Sequence, residues 1–301
     1  MNPRPTLGQN SRLTASSSKK GIKVLAVEEL EYWDSVGATW WKLDDQALWR
    51  GHSDVVNLSL LERWLPTARV RRLLKTDVFD EAFGKGLYPM LALKASHVVS
   101  MDISMSIIEQ ARIRYSKLQG VKADVRCLPY ADGSFDIVVS NSTLDHFTSR
   151  DQIFESLREL NRALAPNGQL VITMDNLANP AVWLRNALPF RWLNALGVLP
   201  YYVGATCGPR RLRRYLKKAG FEIIETTAIL HCPRVLAVAL ARYLNRRGDK
   251  QTQRSFLRFI SGFERLERWP TRYLTGYFVA VLAAKRGSSL VDTNGRTSVN
   301  D

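Results

Sequence analysis

The sequence predicts an α/β protein built on a doubly wound, mostly parallel sheet with helices on both faces. Three observations carry that prediction. Strand-like apolar runs alternate with helix-like runs from residue 70 to residue 230. The run Asp80-Glu-Ala-Phe-Gly-Lys-Gly86 puts two glycines between a strand pattern and a helix pattern, where a tight turn is needed. A second apolar run, Val98 to Met101, ends on an acid, Asp102. A strand, a glycine-bearing turn, a helix and an acid-ended strand make half of a nucleotide-binding unit.

The elements follow in order. Residues 1–23 are polar, lack an apolar h-region and read as a disordered tail, not a signal peptide. Residues 24–69 carry Trp33, Trp40, Trp41, Trp49 and Trp64, with Leu58, Leu61 and Trp64 at helical spacing, and read as a Trp-rich helical lid. Strands are predicted over Arg72 to Phe79, His97 to Asp102, Val121 to Cys127, Phe135 to Asn141, Gln169 to Met174, Phe221 to Leu230 and Tyr277 to Lys285. The fourth is entered through the turn Ala131-Asp-Gly-Ser134. Helices are predicted over Leu87 to Leu93, Ser106 to Leu118, Asp151 to Leu164 and Pro209 to Ala219. Pro166-Asn167-Gly168 stops the third and Gly220 the fourth. Residues 176–207 and 231–276 fall outside the alternation and read as helical insertions forming a cap on a domain of residues 70–286. Residues 287–301 read as a second disordered tail.

Composition narrows the function classes. Apolar content of 46% and charged content of 24% are ordinary for a globular protein. Cys127, Cys207 and Cys232 are too far apart for a metal-ligand pair or a disulfide framework, so no metal and a reducing cytoplasm are expected. No apolar run is long enough to span a bilayer. The net charge of +15 is uneven: residues 1–180 hold 22 Lys+Arg against 21 Asp+Glu, and residues 181–301 hold 21 against 7. That asymmetry suits an anionic partner such as a membrane surface, a nucleic acid or an acidic substrate, and equally a solvated basic face.

The glycine turn limits the nucleotide. A dinucleotide fingerprint starting at Gly84 needs glycine at position 89, which is Pro89, and no Walker-type Gly-Lys-Ser/Thr is present there. An acid, Asp80, four residues before Gly84 suits a ligand with an ammonium group and no phosphate, such as S-adenosylmethionine. From about Val70 to Lys285 the chain resembles the class I S-adenosylmethionine-dependent methyltransferases, in particular the small-molecule branch related to ubiquinone-pathway methylases. Four segments carry the resemblance: Asp80 to Gly86; Val99-Ser-Met-Asp-Ile-Ser104; Ala123 to Asp136; and Leu160 to Leu170 around Pro166-Asn-Gly168. Ala82 stands where that family has its first glycine.

The resemblance implies a seven-stranded sheet of order 3-2-1-4-5-7-6 with strand 7 antiparallel. It also implies roles for single residues. Gly84 and Gly86 let the backbone approach the methionine part of the cofactor, and Asp80 lies near its ammonium group. Asp102, with Ile103 beside it, accepts from the ribose hydroxyls. Asp124 and Val125 meet the adenine, and Asn141 lines the pocket near the sulfonium. His146, within Ser142-Thr-Leu-Asp-His-Phe147, is the candidate general base with Asp145 as its helper; His52 and Asp54 are second candidates. The tryptophans before strand one, with Trp183, Phe190, Trp192, Tyr201 and Tyr202 after strand five, could wall an apolar acceptor pocket. The expected activity is methyl transfer to a small, largely apolar acceptor, a lipid, isoprenoid or polyketide-like hydroxyl. The apolar stretch Val235 to Leu244 and the bases after it fit peripheral contact with an anionic membrane. The alternatives are a nucleic-acid-binding protein or methylase using the basic C-terminal region, and a non-catalytic scaffold. An Asn/Asp-Pro-Pro-aromatic run, expected of a base methylase, is replaced by Ser140-Asn-Ser-Thr143.

Overall fold

The computed structural model describes residues 31–38, 46–195 and 202–287. Both tails up to those limits, and Trp40, Trp41 and Tyr201, lie outside the described residues. Residues 31–38 form helix α1. Then come α2 (Ala47–Trp64), β1 (Val70–Lys75), α3 (Phe79–Phe83), α4 (Tyr88–Lys94), β2 (Ala95–Asp102), α5 (Met105–Arg114), β3 (Gln119–Lys122) and β4 (Phe135–Asn141). After α6 (Arg150–Ala163) and β5 (Leu164–Asp175), the first insertion supplies α7 (Pro180–Ala187) and α8 (Phe190–Ala195). Helix α9 (Pro209–Lys218) leads to β6 (Phe221–Ile229). The second insertion supplies α10 (Arg234–Arg247), α11 (Lys250–Ser261), a 3-10 stretch and α12 (Arg272–Thr275), and β7 (Phe278–Lys285) follows.

The strands make one seven-stranded sheet in the order β3-β2-β1-β4-β5-β7-β6. Strands β1 to β5 are parallel, and β7 runs antiparallel to both β5 and β6. The central strands are apolar on both faces, as a sheet covered on both sides requires. Successive residues feed opposite layers. Leu73, Ile137, Val139 and Val171 pack with α2 and α10, while Leu74, Val138, Leu170 and Ile172 pack with α6 and α9. Helix α6 shows how local sequence sets an element. Ser149 and Gln152 form a reciprocal capping box at its start, and Ile153, Leu157 and Leu160 bury one stripe. Each such side chain contributes about 1.5–3 kcal/mol on burial.

Three boundaries differ from the sequence reading in ways that matter for the site. Strand β1 stops at Lys75, not at Phe79. The Lys75 ammonium is fully enclosed against Glu81 (2.9 Å) and donates to the Asp77 carbonyl (2.7 Å), which turns the chain out of the sheet. The first part of the expected glycine turn is therefore helix α3, with Ala82 in it, and Gly84 and Gly86 follow its end. Strand β3 ends at Lys122, because Asp124 folds back onto Arg126 and bridges Cys127. Strand β5 begins at Leu164 and absorbs Pro166-Asn167-Gly168 as an irregularity, with Asn167 at φ 64.

Candidate active site

A cavity of about 520 Å³ opens at the C-terminal ends of the parallel strands, where an α/β sheet binds ligands. Five strand ends contribute to it. Thr76, Asp77 and Asp80 follow β1, Asp102 and Ile103 end β2, Asp124 and Val125 follow β3, Asn141 and Ser142 end β4, and Asp175 ends β5. Residues of α1, α2, α7, α8 and α10 close the other sides.

The half nearest β1 and β2 is acidic. Asp102 is buried and its carboxylate is held in place by the backbone N–H groups of Val78 (3.1 Å) and Ser104 (3.0 Å). Burial pushes its pKa up to about 7 despite those bonds. Burial, with repulsion from Asp54 and Asp77, also pushes Asp80 up to about 7. Asp54 itself is pushed up to about 6, chiefly by burial, while accepting the Gly86 N–H (3.1 Å). Asp77 is raised by burial as well, and its carboxylate accepts from the Thr143 hydroxyl (3.3 Å). These four carboxylates share the charge of one buried ammonium, Lys75, and a further bound cation is favoured there. Arg50 of α2 lines the same region, next to Gly84, and can face a carboxylate on that ligand. The donor set fits S-adenosylmethionine: acids for its ammonium and ribose hydroxyls, and a guanidinium for its carboxylate.

Gly84 and Gly86 do not line the cavity. Gly86 has φ +59, and a Cβ there would lie 2.5 Å from the Glu81 carboxylate oxygen that accepts the N–H groups of Leu87 and Tyr88. Glycine at position 86 is required by that inner loop, and Thr76 and Asp77 line the cavity. Asp124 does line the cavity, but its carboxylate is already gripped by Arg126 (2.6 and 2.9 Å). Asn141 lines it with its amide oxygen accepting from Thr173 (2.7 Å).

His146 lines the cavity beside Ser142 and Thr143. Its Nδ1 lies 3.3 Å from the Tyr202 carbonyl oxygen, to which it donates, and in the neutral ring that tautomer carries its lone pair on Nε2. Nε2 is 3.9 Å from the Asp145 carboxylate. Asp145 is buried beneath the cavity wall and does not line it. It accepts from the Ser142 hydroxyl (3.0 Å) and the Asp175 N–H (2.8 Å), and burial raises its pKa. Ser142 adopts φ 52, an uncommon conformation for a residue with a side chain. Helix α1 lies against this region: the Trp33 ring meets the His146 ring edge-on at 4.8 Å, and the Tyr32 hydroxyl accepts the Tyr202 N–H (2.7 Å).

The other histidines stand away from the cavity. His52 is buried beside Trp49 with Nδ1 3.4 Å from the Ser261 hydroxyl, and Asp54 serves the Gly86 loop, so neither lines the site. His231 is fixed between Thr275 and the Ala228 carbonyl, and His97 is exposed on β2. The expected aromatic wall is divided. Trp33 and Trp49, before β1, line the main cavity, whereas Trp183, Phe190 and Tyr202 line an adjoining side pocket and Trp192 is exposed. Sequence reasoning missed Arg50, Thr76, Asp77, Ser142 and the buried ion pair of Asp175 with Arg185 (2.8 Å). A signal existed for Arg50: with Ser53 and Asn57 it keeps helical spacing on the α2 face that lines the site. Among the described residues, no group of three or more His, Cys, Asp or Glu could hold a metal ion. No described helix is long and apolar enough to cross a membrane.

Residues 79–172 match the family model described as a methyltransferase domain. Over 106 residues the chain is 35% identical to malonyl-[acyl-carrier protein] O-methyltransferase of Legionella pneumophila, covering 34% of this chain and 36% of that protein. Over 109 residues it is 30% identical to a protein named probable tRNA methyltransferase 9B from Mus musculus, covering 35% of this chain and 24% of that one. The match thus spans about a third or less of the length of these curated relatives. Among solved structures, an S-adenosylmethionine-dependent methyltransferase from Mesorhizobium loti shares the fold with a TM-score of 0.51 at 18% identity, over 75% of this chain and 96% of that one. The [4+2]-cyclase SpnF shares it with a TM-score of 0.50 at 18% identity, over 76% of this chain and 79% of that one. Residues 79–172 thus match a methyltransferase domain, and the chain shares its fold with a solved S-adenosylmethionine-dependent methyltransferase.

Proposed function

We propose that the protein transfers a methyl group from S-adenosylmethionine to a small, largely apolar acceptor, with a hydroxyl oxygen as the target. One observation carries the reading: a single cavity joins the strand-end carboxylates to apolar cap walls, and His146 lines it between the two. When bound, the sulfonium supplies the methyl group and leaves as a neutral thioether. Asp80 faces the ammonium, Arg50 the carboxylate and Asp102 the ribose hydroxyls. Leu184, Leu188 and Val238 exclude water from the acceptor side. His146 Nε2 takes the acceptor hydroxyl proton as the new O–C bond forms, and the Asp145 carboxylate stabilises the resulting imidazolium. Helix α1, carrying Trp33, acts as a lid over that step.

The decisive test incubates the protein with isotope-labelled S-adenosylmethionine and a lipid and metabolite extract, followed by mass spectrometry. A labelled product one methyl heavier supports the reading; no labelled product, with cofactor binding intact, sinks it. A nucleic-acid acceptor is the second reading, favoured by the outward base row of α9, Arg210, Arg211, Arg213, Arg214, Lys217 and Lys218. Label recovered in RNA or DNA and not in small molecules would select it.

Cofactor affinity is expected to depend on pH. In the free protein Asp80 and Asp102 hold protons below about 7. A bound cation favours the ionised form, so binding releases protons and tightens as pH rises. The effect is about tenfold between pH 6 and pH 7.5, below the loss of the ligand's own α-ammonium proton at about 7.7–8.0. Calorimetry in buffers of different ionisation enthalpy reads the released protons, and Asp80→Asn should reduce them. An affinity flat over that window would contradict the assignment.

A further inference from the structure

The lining residues that are exposed mark where the main cavity meets solvent. Among the described residues these are Ala181, Leu184, Leu188, Val235 and Ala239. None of them is polar, and all belong to α7, its C-terminal end or α10. Further exposed apolar side chains flank this rim. Trp183 precedes Leu184 on α7, and Trp192 of α8 is 64% exposed. On α10, Leu236, Leu240 and Tyr243 recur at helical spacing as an outer stripe beside the lining pair Val235 and Ala239. Leu236 is 71% exposed. The next position of that stripe is Arg247, also exposed. Lys250, Arg254 and Arg258 continue the positive charge along one exposed row of α11, which packs against α10. Arg191 adds an exposed base on α8. Helices α7, α8 and α10 contain no Asp or Glu.

We infer that this face of the cap rests on an anionic lipid bilayer, and that the methyl acceptor enters the cavity from the leaflet beneath it. Large apolar side chains held in water around one opening gain free energy when an apolar surface covers them. Charge selects the occupant. Bases on a face whose helices carry no acid are drawn to a negative surface, each adding about fivefold in affinity. Trp183, Trp192 and Tyr243 suit the headgroup layer, where a ring keeps one end apolar and the other wet. A protein seated on the same rim would shut the cavity, whereas a leaflet leaves it open to acyl chains. The contact is peripheral. Helix α10 has 14 residues and arginine at both ends, so at about 21 Å it is too short and too charged to cross a hydrocarbon core of ~30 Å. It lies in the interface with its outer stripe towards the lipid. An amphiphile then passes from the leaflet along Leu184, Leu188 and Val235 without crossing water. The docking stands on the surface alone, and entry of the acceptor from the leaflet rests on the methyl-transfer reading of the cavity.

The test floats the full chain with lipid vesicles on a density gradient, using phosphatidylcholine alone and phosphatidylcholine mixed with phosphatidylglycerol. The mixed vesicles are expected to bind at least about tenfold more tightly, and less so in high salt. Leu240→Glu, which puts a negative charge in the apolar stripe, should weaken binding to the mixed vesicles by at least about tenfold. Arg247→Gln should weaken it by about fivefold and leave the neutral vesicles unchanged. Leu93→Glu, at an exposed apolar residue of α4, a helix that does not line the cavity, should change nothing. If Leu240→Glu fails to fold, Trp192→Ser decides in its place. Equal binding to neutral and mixed vesicles, or a Leu93→Glu loss as large as that of Leu240→Glu, overturns the inference. So does a chain that ignores vesicles and self-associates through the same face, with the dimer broken by Leu240→Glu. S-adenosylhomocysteine binding is measured separately. Vesicle binding without cofactor binding sinks the methyl-transfer reading alone, and cofactor binding without vesicle binding sinks this inference alone.

Discussion

Lys75→Met is expected to destabilise the folded protein by about 3–5 kcal/mol, the usual result of stripping one partner from a buried ion pair. Lys75 and Glu81 are both fully buried, with 2.9 Å between ammonium and carboxylate. The same ammonium lies 3.5 Å from the Asp77 carboxylate and donates to the Asp77 carbonyl. Burial alone would lower the Lys75 pKa, but the carboxylates of Asp77, Glu81 and Asp80 outweigh it and raise it. Without that cation, Glu81 is left as a buried charge bonded only to the Leu87 and Tyr88 N–H groups. Denaturant unfolding of parent and variant measures the loss. Adding Glu81→Gln to Lys75→Met should recover part of it, because the uncompensated charge goes. A loss below about 1 kcal/mol would show that the pair is replaceable and that the β1 exit is held by other contacts.

The same lysine explains what was legible in the sequence. Alternation of apolar runs gave the strands and helices, because parallel strands covered on both faces are nearly continuous in Val, Ile and Leu. Phe135 to Asn141 came out with its observed limits. The exit from β1 did not, because Lys75 and Glu81 read as surface charges until the fold closes around them. Two glycines one residue apart, after an acid, then suggested a cofactor turn, whereas Gly86 is shaped by Glu81, and Asp77 and Asp80 line the cavity. Strand ends were easier. Asp102 and Asn141 each close an apolar run, and both line the cavity. The cap was the least readable part. Exposed Trp183 and Trp192 resemble pocket walls in composition, while buried Arg185 and half-buried Arg234, packed on rings from distant segments, resemble solvated bases. Which face a helix presents depends on long-range packing that no local pattern records.

Replacement of His146 tests the chemistry most directly, and His146→Phe is the informative variant. The phenyl ring retains the edge contact with Trp33 and removes both nitrogens. If His146 takes the acceptor proton, turnover at saturating substrate should fall by about 100-fold to 10,000-fold, the usual worth of a positioned base. Affinity for S-adenosylmethionine should stay within about twofold, since the ribose and ammonium are assigned to Asp102 and Asp80. Asp145→Asn should lose less, because its carboxylate sits 3.9 Å from Nε2 and stabilises the cation formed there without touching the acceptor. A His146→Phe enzyme that keeps a third or more of its turnover would remove the base assignment. The ring would then serve to pack Trp33 over the cavity, and an acceptor hydroxyl already ionised, or a nitrogen needing no base, would replace the hydroxyl in the mechanism. A large loss of turnover accompanied by weakened cofactor binding would instead assign the histidine to the seating of α1, since Trp33 and Asp34 of that helix reach His146 and Ser104 on opposite sides of the cofactor half. The ratio of the two losses therefore separates proton transfer from lid packing.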